Sequence, residues 1–155
     1  MVERYPGGVT AGRSGAWGGP GARGRYDPHV PDDLDPLLEA NEAFYRAFEA
    51  GDLDAMSEVW AHGEHVVCIH PGWAALRGWA AVSASWFALF QGGQPMQFIL
   101  TNLHAQVRGD VGWVTVDENL IAEDQAGTVA AFNLFERIGG RWQMVAHQGT
   151  GIAPR

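Results

Sequence analysis

Apolar residues recur at helical spacing in the first patterned stretch of the chain. Leu37, Phe44 and Phe48 form a stripe that includes Asn41, with Leu38 and Tyr45 beside it. Asp35-Pro36 ahead of the stripe reads as a helix start, an N-cap followed by proline at the first helical position. Gly51 stops this helix and Asp52 caps a shorter one, whose apolar positions are Leu53, Met56, Val59 and Trp60. His65 to Ile69 reads as a short strand, and His70-Pro71-Gly72 must turn. Val82, Trp86, Leu89 and Phe90 predict a third helix over about 79–90, closed by Gly92-Gly93.

The period then changes from helical to alternating. Strands are predicted over about 96–108, 111–122, 127–138 and 141–150. Gly109-Asp110 and Gly139-Gly140 are two-residue hairpin turns, because glycine supplies the positive φ such turns need. A looser loop, Glu123 to Gly127, joins the middle pair. Helices first and strands last predict an α+β fold: three N-terminal helices packed on a curved antiparallel sheet.

The tight turns set a register. Arg108 faces Val111 and Ile138 faces Arg141, while the middle turn is assumed to set Glu118 opposite Ala131. Alternation then divides the strands between two faces. Ile99, Thr101, Leu103, Val114, Val116, Glu118, Leu120, Asn133, Phe135, Trp142, Met144 and Gln148 face the helices. Phe98, Leu100, Asn102, His104, Trp113, Asp117, Phe132, Leu134, Val145 and His147 face outward. Four polar residues, Thr101, Glu118, Asn133 and Gln148, thus interrupt the apolar face. Buried polar groups need hydrogen bonds, so the four read as a cluster: the polar end of an apolar pocket, or a self-satisfied network. If poorly hydrated, Glu118 acquires a raised pKa suited to a general acid or base. The outer face is too oily for a freely solvated sheet, which predicts a homodimer packed sheet to sheet.

Composition narrows the alternatives. The chain has 155 residues, a formal net charge of -8 and 46% apolar residues, which fits one domain with one core. The acidic balance speaks against nucleic-acid and anionic-membrane partners. No apolar run is long enough for a membrane helix, and a cytoplasmic location is expected. Residues 1–30 form a separate Gly/Arg-rich arm, expected to be disordered, ahead of the domain at 31–155. The single cysteine, Cys68, lies in an apolar strand and reads as an inert buried thiol. His62, Glu64, His65 and His70 offer metal-ligand atoms, but no rigid element holds both His62 and His65, so no metal is expected. No phosphate loop, serine elbow or dinucleotide fingerprint occurs, and no cofactor is expected.

Several segments carry a family resemblance. Gly51-Asp52-Leu53-Asp54-Ala55-Met56 follows the first helix. His70-Pro71-Gly72-Trp73 is followed by Leu76-Arg77-Gly78, Val82 and Ser85-Trp86. Ala131-Phe132-Asn133-Leu134-Phe135-Glu136-Arg137 and Gly140-Arg141-Trp142-Gln143-Met144-Val145-Ala146-His147-Gln148 come later. In this order, over about residues 35–152, they resemble the NTF2-like superfamily in its SnoaL-like branch. The resemblance implies a cone-shaped α+β barrel, a pocket between sheet and helices, and a dimer through the outer sheet face. It also implies that the turn at His70 can border the pocket. Independently, Trp60, Trp73, Trp86 and Trp142 are candidate pocket walls, because aromatic rings supply large flat apolar area with a single donor. Many relatives carry three consecutive histidines near the end of the last strand; here the run reads Ala146-His147-Gln148, and no catalytic residue is carried over.

Two functions follow. The first is an isomerase, cyclase or hydratase/hydrolase acting on an apolar ring-bearing substrate, with Glu118 as acid or base. His70, Trp73, Trp86, Thr101, Asn133 and Gln148 would contact that substrate. The second is a non-catalytic ligand-binding or dimerisation module of the same fold.

Overall fold

The computed structural model describes residues 34–92, 96–121 and 126–153, so the expected arm at 1–30 lies outside the described residues. Three helices come first: α1 (Leu34–Ala50), α2 (Leu53–Val59) and, after β1 (Val67–Ile69) and β2 (Leu76–Arg77), α3 (Trp79–Gly92). Four long strands complete the chain: β3 (Gln97–Arg108), β4 (Val111–Ile121), β5 (Ala126–Ile138) and β6 (Arg141–Ile152). The fold is α+β, as the pattern predicts. Among the described residues no helix is long and apolar enough to cross a membrane.

Helix α1 starts at Leu34, so Asp35 lies inside its first turn instead of capping it. A carboxylate there still complements the unpaired N–H groups of the helix end. Gly51 closes α1 at φ +62°, where the amide of Asp52 donates to the Ala47 carbonyl at 3.0 Å. The Asp52 carboxylate then accepts from the Ala55 amide at 2.9 Å, the expected cap of α2.

The six strands make one sheet in the order β2-β1-β6-β5-β4-β3. The meander β3 to β6 is antiparallel, whereas β1 runs parallel to β6. Strands of three and two residues, like β1 and β2, are too short to show a period, which is why β2 and the parallel edge escape a sequence reading. Gly139 and Gly140 have φ of +59° and +81°, as their tight turn requires. Gly112 serves a different purpose. A Cβ there would lie 2.9 Å from Leu37 Cδ2, so the absence of a side chain lets α1 settle onto β4.

The register departs from expectation at three places. The middle hairpin pairs Glu118 with Val129 and not Ala131; the slip is two residues, so every side chain keeps its face. The other two departures are β-bulges. In β3 the register shifts between Thr101 and His104, where Asn102 takes a φ of +52°. In β6, Leu134 pairs with Ala146 while Phe135 pairs with Met144, leaving Val145 as the extra residue. Each bulge reverses inside and outside along the strand beyond it.

Phe98 and Leu100 therefore face the helices, and Phe98 packs on Tyr45 and Phe48 at 5.7 and 4.8 Å between ring centroids. Thr101 and Gln148 are exposed on the outer face, so their expected place beside Glu118 is incorrect. Ile99 and Leu103 are also exposed, not inward-facing. His147 and Val145, expected outside, are buried. The core between sheet and helices holds Leu37, Phe44, Met56, Trp60, Val66, Cys68, Val82, Trp86, Val114, Phe135 and Met144.

Candidate functional site

Asn41 and Tyr45 stand one helical turn apart on α1 and share its buried face. Opposite them, the inner face of the sheet presents Glu118 from β4, Asn133 from β5 and His147 from β6. These five side chains are all buried and form one hydrogen-bonded chain. The Tyr45 hydroxyl donates to Glu118 Oε1 at 2.8 Å. Asn133 Nδ2 donates to the Tyr45 oxygen at 3.2 Å and to Asn41 Oδ1 at 2.8 Å. His147 Nδ1 lies 2.6 Å from Asn133 Oδ1.

A second polar group closes the other side. His70, in the turn after β1, places Nε2 2.9 Å from Ser85 Oγ on α3. The Ser85 hydroxyl donates to the Val82 carbonyl at 2.7 Å. Trp86 joins the two groups: its ring lies edge-on to His70 at 4.7 Å and 6.1 Å from His147. Phe44 packs on His147 at 4.9 Å and on Trp86 at 5.6 Å. Aromatic rings thus separate two polar clusters and exclude water from both.

That dryness sets the titration behaviour. Burial raises the Glu118 carboxyl to about 7, against a smaller lowering by the Tyr45 hydrogen bond. Burial, reinforced by the Glu118 charge, pushes the Tyr45 phenol well above its ordinary range, so Tyr45 acts as a hydroxyl donor. His70 is lowered to about 4 by burial. His147 is lowered to about 3 by burial and by His70. Both imidazoles are therefore neutral at pH 7. Cys68 is pushed up by burial to about 12, which makes it a poor nucleophile.

The sequence-predicted residues part company here. Glu118, Asn133, His70 and Trp86 come together in the buried site. Trp73 is 46% exposed and touches the site through its edge contact with His70, at 5.0 Å. Thr101 and Gln148 belong to the other side of the sheet, and Gln148 lines a shallow outer-face depression of about 310 Å³ with Phe132 and Asp117. Asn41, Tyr45, Ser85 and His147 were missed. The signal for the first two was present: polar-tipped residues four apart on an otherwise apolar stripe. Nothing in the sequence marks the bulge that turns His147 inward.

Neither of two further features belongs to this site. His62 stacks on Trp79 at 4.5 Å and bonds Ser57 through Nε2, which accounts for it without a metal. Among the described residues no three His, Cys, Asp or Glu side chains are grouped to hold a metal ion. A depression of about 900 Å³ lies between α1, α2 and the β5–β6 turn, floored by alanines and Trp142 and rimmed by charges of both signs.

Known proteins share this architecture. A SnoaL-like domain family matches residues 37–153. A proposed dehydratase of the NTF2-like family from Streptomyces avermitilis is 32% identical, with a TM-score of 0.75 over 81% of this chain and 100% of its own. A proposed calcium/calmodulin-dependent protein kinase type II association domain from Thiobacillus denitrificans is 37% identical, with a TM-score of 0.70 over 75% of this chain and 94% of that one. The F-box protein SKIP8 of Arabidopsis thaliana is 28% identical over 114 residues, covering 74% of this chain. The matched region is 48% of SKIP8, so the chain spans about half the length of that relative. With the matched family spanning most of the described fold, the chain belongs to the SnoaL-like domain family of the NTF2-like superfamily.

Proposed function

We propose that the chain is an acid–base enzyme acting on an apolar, ring-bearing small molecule, with Glu118 as the proton carrier. The observation that carries this reading is a single buried carboxyl, held by a tyrosine hydroxyl, whose pKa of about 7 populates both protonation states near neutrality. A group so poised can take a proton from carbon and return it, with no large penalty in either direction. Tyr45 bonds Oε1, and Oε2 carries no hydrogen bond among the described residues. Oε2 is thus the oxygen available to react. In an isomerisation the carboxylate removes a proton α to a carbonyl and the resulting acid redelivers it at another carbon. In a dehydration the same acid protonates the departing hydroxyl, which leaves as water. The dehydratase reading of the Streptomyces relative is consistent with the second course.

A specific observation favours a second reading, in which the domain assembles as a dimer and need not be catalytic. Ile99, Ile121, Phe132 and Ile152 are 54%, 51%, 39% and 40% exposed on the outer sheet face, an apolar surface of the kind that pairs with another copy. The association-domain relative is consistent with that role.

Deuterium incorporation separates the two. The full chain is incubated in D2O with a panel of cyclic ketones and β-hydroxy ketones, and exchange is followed by NMR. The enzyme reading expects exchange or water loss that falls by about 10²–10⁴ in Glu118→Gln. Exchange that is absent across the panel, or equal in the variant, overturns it in favour of the module.

A further inference from the structure

The directions of the buried hydrogen bonds determine where each histidine proton sits. Asn133 Oδ1 can only accept, so His147 Nδ1, 2.6 Å away, must carry its proton. Ser85 has one hydroxyl proton, and the Val82 carbonyl, which can only accept, takes it at 2.7 Å. The Ser85 oxygen is therefore the acceptor for His70, and His70 carries its proton on Nε2. Each ring is left with one bare nitrogen: Nε2 of His147 and Nδ1 of His70. Among the described residues the second has one partner, the weakly donating Cys68 thiol at 4.0 Å. Both rings are more than nine-tenths buried.

The same cluster also holds donors with nothing to bond. Trp86 Nε1 and Asn41 Nδ2 are fully buried and take no partner among the described residues. Buried donors left so are costly and call for an acceptor. Among the described residues the only ionisable acid or base in the cluster besides the two neutral imidazoles, Tyr45 and Cys68 is Glu118, and the chain contains no lysine.

We infer that this site receives a neutral hydroxyl group, whose hydrogen goes to a bare imidazole nitrogen and whose oxygen accepts from Trp86 or Asn41. The inference rests on the proposed ligand site and names its substrate class: hydroxylated, uncharged and otherwise apolar. A carboxylate offers acceptors but no hydrogen, and would sit beside Glu118 with no cation to balance it. An ammonium offers hydrogens but nothing to the two orphan donors. A hydrocarbon satisfies neither, whereas a hydroxyl does both.

Two measurements on the full chain test this. The first is ¹⁵N NMR of the imidazoles at pH 7. His147 is expected as the neutral Nδ1–H tautomer and His70 as the neutral Nε2–H tautomer; the opposite tautomer, or a charged ring, at either position overturns the inference. The second is binding of four matched probes: benzyl alcohol, benzoate, benzylammonium and toluene. Benzyl alcohol is expected to bind at least about tenfold more tightly than each of the others, since a site built for a hydroxyl rejects analogues lacking it. His70→Gln and His147→Gln are expected to erode that preference. Equal binding of any other probe, binding of none, or a preference unchanged in both variants overturns it. None of these readouts uses turnover, so the acid–base reading of Glu118 can fail while this stands, and the reverse.

Discussion

Asp117 and Glu118 are neighbours on one strand, yet the sheet places them in different chemical worlds. On the outer face Asp117 accepts from Asn102 at 2.7 Å, and Asn119 bonds Thr101 and Thr128 at 2.9 Å, in a cluster open to solvent. On the inner face Glu118, Asn133 and His147 are bonded across the core with almost no exposure. The residue types are nearly the same. An exposed hydrogen bond exchanges with water and is worth little net, but a buried one cannot be replaced once its partner is gone. Burial also moves the Glu118 proton equilibrium toward neutrality. The chemistry of this protein therefore follows from the side of the sheet a residue faces more than from its identity.

The sharpest way to break that comparison is on β5, where two phenylalanines lie three residues apart. Phe135 is fully buried on the inner face and Phe132 is 39% exposed on the outer. Phe135→Ala is expected to cost about 3–5 kcal/mol in urea unfolding, from lost burial plus the cavity left behind. Phe132→Ala is expected to cost less than about 1 kcal/mol in the monomer. Equal losses would end the distinction. A Phe132→Ala loss that grows with protein concentration would instead show that the outer face is an interface.

The next largest effect is in pH. Glu118 holds its proton up to about 7 when folded, against an ordinary value of 4.5. Between these values the folded state binds more protons than the unfolded, so this group's contribution to stability falls as pH rises. Relative to Glu118→Gln, wild type should lose on the order of 2–3 kcal/mol between pH 4.5 and 7. His70 and His147 act in the opposite sense. Their folded pKa values are about 4 and 3 against 6.5, so the stability they lend is complete above 6.5 and drains as pH falls toward 4. Unfolding free energy against pH should accordingly climb more steeply from 4.5 to 6.5 in Glu118→Gln than in wild type. Parallel curves would mean that Glu118 is hydrated.

Smaller effects refine the picture. Asn133→Ala strips partners from Asn41, Tyr45 and His147 and should cost about 1–3 kcal/mol by denaturant titration. Asn119→Ala, its solvent-side counterpart, should cost less than about 1 kcal/mol; similar values would contradict the contrast drawn between the faces. The bulge at Asn102 is the last test. Its φ of +52° disfavours a branched side chain, so Asn102→Val should cost about 1–2 kcal/mol and Asn102→Gly much less. Equal stability of the two would show that β3 does not depend on this conformation.

Local rules carried the sequence reading a long way. The three helices, the four long strands and both glycine turns follow from spacings of a few residues, because helical and extended periods are properties of the backbone itself. Glu118 and Asn133 face inward as expected, since their strand segments contain no bulge between them and the core positions that set the phase. Thr101, Gln148 and His147 were assigned to the wrong side for one reason. Alternation is read from a starting phase, and one extra residue in β3 and one in β6 reverse it.

What the sequence determined, then, is the order and type of the elements, the turns that join them and the family. What the tertiary structure decided is which polar side chains meet. Tyr45 and Glu118 are 73 positions apart, and Asn41 and Asn133 are 92. No periodic signal spans such a distance. Their contact exists because α1 packs onto the sheet over Gly112, and the raised carboxyl pKa exists because that packing removes water. Desolvation belongs to the assembled core as a whole, and no stretch of chain carries it alone.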